Sequence, residues 1–238
     1  MSDRRSTSLG LLAFAVLNLV AVVVLNAAFG WPAVLGDPAA EVLPKFSDAQ
    51  VVITLGFLLQ VGLSVALVPI AIGLHREANG GARLWPLSVA AFGVLTGLTQ
   101  TLGWIRWPIT MPGLADTWVD PATTPEVLMD TEASFDLLNA YAGNALGEYL
   151  GWLFQALWAV GIATLLFRSG VIGARMRWLG TVLTGLWAIS FLVGPFAPAL
   201  SAEPFASVGF TASGLRFLWL GAVGIFLLRP ATTEASAA

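Results

Sequence analysis

The chain has 238 residues, of which 57% are hydrophobic and only 11% charged, with a net charge of −3 and a mean hydropathy of +0.82. Soluble domains carry roughly 25% charged residues, so this chain has too little polar surface to cover a globule in water, and lipid must solvate most of it. No Cys, one His (His75) and one Lys (Lys45) exclude disulfides, thiolate metal sites, thiol catalysis and a bis-imidazole haem within one chain. No basic block points to nucleic acid, and neither a metal nor another cofactor is expected.

The N-terminal stretch "MSDRRSTSLGLLAFAVLNLVAVVVLNAAFG" has a charged start and an apolar run of about twenty residues. That is the length of a spanning helix rather than of a short signal core, and it is read as an uncleaved first helix. In all, six segments are long and apolar enough to cross a bilayer: about 9–29, 50–74, 84–106, 138–167, 178–198 and 208–228. Arg4, Arg5, Arg76, Arg83, Arg168, Arg175, Arg177 and Arg229 then fall on one side. The excess of Lys and Arg on cytoplasmic loops makes that side the cytoplasm. The opposite connections carry Asp37, Glu41, Asp48, Asp116, Asp120, Glu126, Asp130, Glu132 and Glu203. The expected arrangement is all-α: one polytopic domain over 1–230 with six spans and both termini cytoplasmic, followed by a disordered tail at 231–238.

The stretch after the third span, "WPITMPGLADTWVDPATTPEVLMDTEASFD", holds four prolines and is expected not to form one continuous helix. Its second half restarts with Thr124 as cap, Pro125 in the first turn and Glu126 at the positive helix end. Leu128, Phe135, Leu138 and Ala142 share a face, so an amphipathic surface helix is expected before the fourth span. A straight helix from Pro125 to Arg168 would be about 66 Å long, twice the roughly 30 Å of a hydrocarbon core. A bend at Gly143 and Gly147 is therefore expected. A weak internal repeat accompanies these elements. "LGFLLQ" at 55–60 resembles "LGWLFQ" at 150–155, and "GLHR", "LLFR" and "FLLR" close the second, fourth and sixth spans. The pattern suggests three pseudo-repeated αα-hairpins. Gln155 stands as far before Arg168 as Arg216 does before Arg229.

Polar residues inside membrane helices are costly and by default face the bundle interior. Tyr141, Asn144, Glu148, Gly151 and Gln155 follow α-helical spacing and would form one face. Thr96, Thr99, Gln100, Gly103 and Arg106 form a similar stripe on the third span, and Asn18 and Asn26, then Gly56, Gln60 and Ser64, mark the first two. Measured from the Arg anchors, Arg106 and Glu148 lie near the outer boundary and Arg216 roughly 12 Å in. Pairing would make such charges tolerable. The candidate site is therefore an outward-facing polar cavity of Arg106, Glu148, Arg216, Tyr141, Asn144, Gln100 and Gln155. A structural ion pair with amides that fix helix contacts is the competing reading. Glu148 is the candidate acid or base if a reaction occurs; an adjacent Arg and a low dielectric act on it in opposite senses.

Six spans, "IGLHR" at the end of the second, "RWP" before a long loop, "LNAYAGNALGEYLG" and "LFRSGVIGARMRWLG" together resemble an uncharacterised family of bacterial, often actinobacterial, six-helix integral membrane proteins catalogued as a domain of unknown function. The resemblance covers nearly the whole chain and implies a bacterial inner-membrane protein; it carries over no catalytic residue. The expected function is binding of a small amphiphile or lipid, alone or as a subunit of a homo- or hetero-oligomer, with no nucleic acid partner. The alternatives are an intramembrane enzyme acting on a lipid or isoprenoid through Glu148, and a structural or transporter subunit.

Overall fold

Backbone in lipid must satisfy its hydrogen bonds internally, and for runs of apolar residues this long the helix is the way to do so. The computed structural model, which describes residues 3–193 and 203–229, is helical almost throughout, with no strand among the described residues. Among the described residues ten α-helices follow in chain order: α1 (Asp3–Phe29), α2 (Ala39–Asp48), α3 (Gln50–Glu77), α4 (Leu84–Trp104), α5 (Arg106–Ile109), α6 (Met111–Val119), α7 (Pro125–Leu138), α8 (Gly151–Arg168), α9 (Ala174–Ala188) and α10 (Glu203–Leu228). A 3₁₀ turn, Ala33–Gly36, precedes α2. Two stretches are π-helical: Asn139–Leu150, continuous with α7 and α8, and Ile189–Val193 after α9.

Among the described residues, five helical stretches are long and apolar enough to cross a membrane: Asp3–Phe29, Gln50–Glu77, Leu84–Val119, Pro125–Arg168 and Thr211–Leu228. This is the architecture of a multi-pass membrane protein. Of the expected span at 178–198, the described part is helical, in α9 and its π turn as far as Val193, and is not among these five stretches; its remainder, like the tail at 231–238, lies outside the described residues. The long helices α1, α3, α4, α8, α9 and α10 pack each against the next in chain order, and α10 closes back on α1. Consecutive hairpins thus form a ring.

The stretch after the third span is not one continuous helix: α5 and α6 carry the chain to Val119, and helix resumes at Pro125 with α7. Pro112 stands in the first turn of α6, where its missing N–H costs nothing. At Gly143 and Gly147, where a bend is expected, the helix widens into the π-helical segment. Helix α7 does form before the fourth span, and it lies against α2 and α6 with Thr131 and Phe135 buried.

Two apolar clusters fill the ring at different levels. One, at the end that carries the termini, is built on Leu11, Leu67, Leu74, Trp158, Leu166 and Val223. The other lies under the α2, α6 and α7 cap and centres on Phe29, Phe46, Phe57, Trp104 and Trp107. Phe57 stacks on Trp107 with ring centroids 4.9 Å apart and planes inclined at 9°. Near the ends bearing the termini, α1 and α10 meet tightly: Ser8 Oγ donates to the Gly224 carbonyl at 2.7 Å, and Arg4 Nε to the Leu227 carbonyl at 2.8 Å. The gap between the clusters holds the site.

Candidate functional site

A cavity of about 220 Å³ lies inside the ring, and α1, α3, α4, α8, α9 and α10 each contribute to its wall. Its buried polar lining comes from Asn18, Gln60, Ser64, Gln100, Gln155 and Arg216. Each is a polar group on an otherwise apolar helix, which in lipid is held on the interior side. Most spend part of their hydrogen-bonding capacity locally. Asn18 Nδ2 donates to the Phe14 carbonyl at 2.8 Å, and Ser64 Oγ to the Gln60 carbonyl at 2.8 Å. Gln100 Nε2 donates to Gln155 Oε1 at 3.1 Å, which joins α4 to α8. Aromatic rings close the wall between these groups: Trp31, Trp104, Trp152 and Trp187.

Arg216, in the middle of α10, is the one cationic residue of the lining among the described residues and is 1% exposed. Its guanidinium carbon lies 4.3 Å from the Trp187 ring centroid and 5.1 Å from that of Phe217. Ring faces of this kind attract a cation, but they accept no in-plane hydrogen bond. Nε and Nη1 of Arg216 have no hydrogen-bond partner, and no carboxylate among the described residues lies within ion-pair distance of it. A buried guanidinium with free donors is expensive to keep.

Arg106 and Glu148 stand elsewhere. Arg106 is 3% exposed. Its Nη1 donates to the Gly103 carbonyl at 2.6 Å and its Nη2 to Asn139 Oδ1 at 3.1 Å. Glu148 Oε1 lies 4.0 Å from Nη2, at the edge of ion-pair range. Asn139 in turn donates Nδ2 to the Leu35 carbonyl at 3.2 Å. Arg106 thus ties the end of α4 to the π-helical segment and, through Asn139, to the first connection. Neither Arg106 nor Glu148 lines the cavity.

The seven residues expected to form one site therefore divide. Gln100, Gln155 and Arg216 line the cavity. Arg106 and Glu148 make the separate pair. Tyr141, 64% exposed, and Asn144, also exposed, face outward and join neither. The cause is the helix type. A π-helix bonds i to i+5 and takes more residues per turn than an α-helix, so the steps of three and four from Tyr141 to Gly151 do not stay on one face. The buried positions Gly143, Gly147, Gly151 and Gln155 instead recur every four residues. Asn18, Gln60 and Ser64 had been visible as polar positions but not grouped with the site. Ser213 and Gly214 of α10 also border the cavity, and nothing in their local sequence marks them.

A family model described as a domain of unknown function (DUF4386) matches residues 7–229. No curated protein matches the chain, and no solved structure does.

Proposed function

We propose that this chain, which belongs to the DUF4386 family, binds a small amphiphile in the cavity of its transmembrane ring. The observation that carries this reading is the company of Arg216: a buried cation with two donor nitrogens free, in a space of about 220 Å³ walled by amides and aromatic rings. Most buried polar groups in a fold find a hydrogen-bond partner. Binding sites for small molecules have the opposite character, mostly apolar walls with a few polar groups left open to fix orientation.

The rest of the reading follows from charge. The chain crosses the membrane six times, α9 with its π turn supplying the fifth crossing. Both termini lie in the cytoplasm of a bacterium, because eight of the eleven Lys and Arg residues flank that end of the helices. The cavity then belongs to the outer half of the bilayer, on the side of Trp31 and Trp104. The protein acts alone or as a subunit of a larger assembly.

The test is native mass spectrometry of gently extracted protein. A methyl added at Gly214, which borders the cavity, meets no atom within 4 Å, so Gly214→Phe is the variant chosen to occupy the space. A defined low-mass species on the wild-type protein, lost in Gly214→Phe, is expected. Bulk phospholipid alone, equal in both proteins, overturns the reading.

A further inference from the structure

Resting on the reading that the cavity binds an amphiphile, we infer that its occupant carries a single anionic head, a carboxylate or phosphate monoester, which docks on Arg216 while one apolar chain leaves between α1 and α10 into the surrounding lipid.

The charge of the head follows from what Arg216 lacks. Five N–H donors in a planar guanidinium match a carboxylate or phosphate, yet Nε and Nη1, which carry three of them, are unpartnered at 1% exposure. Glu148, the carboxylate nearest to expectation as its partner, is engaged with Arg106 instead. Trp187 and Phe217 lie against the guanidinium and hold the fork without using it. The other lining groups, Gln60, Gln100, Gln155 and Asn18, can donate to an anion but bring no negative charge that would repel one.

The single chain and its exit follow from size and from the seam. A cavity of about 220 Å³ falls below the roughly 300–1,000 Å³ of pockets that enclose a whole drug-sized ligand. It has room for a head group and the first carbons, so the remainder must extend outside. At the end bearing the termini the α1–α10 seam is shut: at Gly224 an added methyl would stand 2.9 Å from Leu12 Cγ, and at Gly221 3.5 Å from Ala15 Cβ. Two turns further along α10, Gly214 has open space beside it. There Val22 and Val23 of α1 and Ser213 and Gly214 of α10 border the cavity, and Val23 is 67% exposed on the outer surface of the ring. A residue that lines the cavity and also faces lipid marks the opening.

The experiment uses the full chain in nanodiscs of zwitterionic phosphatidylcholine, with tritiated laurate as probe in a scintillation-proximity assay. Saturable binding is expected. Unlabelled laurate and dodecyl phosphate should displace the probe at least about tenfold better than dodecanol, the worth of a charge-assisted hydrogen bond. Arg216→Gln should erase that preference, and Arg216→Lys should keep part of it. The series on the wild-type protein stands whether or not the variants fold. If dodecanol displaces as well as laurate, the anionic head is wrong and the amphiphile reading stands. If inorganic phosphate displaces as well as dodecyl phosphate, the occupant is an aqueous anion and the chain exit is wrong. If neither laurate nor dodecanol binds saturably, the amphiphile reading itself falls.

Discussion

Gly103 and Gly147 cross backbone to backbone: a methyl group added at Gly147 would stand 2.7 Å from the Gly103 Cα. Neither main chain can yield, since one belongs to α4 and the other to the π-helical segment. Close approach through small residues is how membrane helices gain packing without a hydrophobic drive. Gly147→Ala is therefore expected to destabilise the fold by about 1–3 kcal/mol, the usual cost of overpacking. Gly62→Ala, on α3 where nothing lies within 4 Å, should instead gain up to about 1 kcal/mol of helix propensity. Thermal unfolding in mild detergent, followed by circular dichroism, separates the two. Equal melting temperatures would mean that the crossing does not constrain the helices.

That crossing also bears on how far the sequence reveals this protein. The long helices were legible because lipid imposes a length and an apolar composition that no soluble segment shares. Gln100, Gln155 and Arg216 were legible for the complementary reason, since polar groups in lipid must turn inward. The stripe through Tyr141, Asn144 and Glu148 was not, because it was projected at α-helical spacing onto a segment that is π-helical. There Gly143 and Gly147 dock against Arg106 and Gly103, a tertiary contact with no local signal. The fate of Arg216 was hidden for a related reason. Charge pairing suggested a carboxylate, whereas the side chain is met by the faces of Trp187 and Phe217.

Arg106 and Glu148 should behave as a structural pair of unequal members. Arg106→Met removes the hub that holds Gly103, Asn139 and Glu148 together, and leaves the carboxylate buried without its cation. A loss of about 3–5 kcal/mol is expected. Glu148→Gln leaves Arg106 its two shorter bonds, so the loss should be nearer to about 1 kcal/mol. Ligand occupancy by native mass spectrometry should be unchanged in Glu148→Gln, because Glu148 does not line the cavity. Lost occupancy or lost turnover of an added lipid, with the melting temperature intact, would instead restore Glu148 to the chemistry.

Arg216 should be a liability in the empty protein. A lone buried charge pays desolvation with no ionic return, and apolar replacement of buried charged groups often stabilises by about 1–4 kcal/mol. After exhaustive delipidation, Arg216→Met is thus expected to melt above the wild type. Adding the anionic amphiphile should raise the wild-type melting temperature and leave the variant unmoved, since a ligand stabilises only the state that binds it. A variant that melts lower than the delipidated wild type would show that Arg216 is satisfied by contacts within the fold.

The Gln100–Gln155 bond offers a last test, because it distinguishes a wall built for packing from one built for a ligand. If its role is to hold α4 against α8, removing one amide should cost more than removing both. Gln155→Leu leaves Gln100 Nε2 facing an apolar neighbour, a loss of about 0.6–1.7 kcal/mol on the scale of hydrogen bonds between membrane helices. The double replacement by Leu deletes donor and acceptor together and should recover part of that loss. Both amides also line the cavity, so laurate affinity should fall in the single and the double variant alike. Stability would then be non-additive while binding is lost in each, and that divergence is the signature of amides that serve fold and ligand at once. Additive losses in stability with unchanged laurate affinity would assign the pair to neither role.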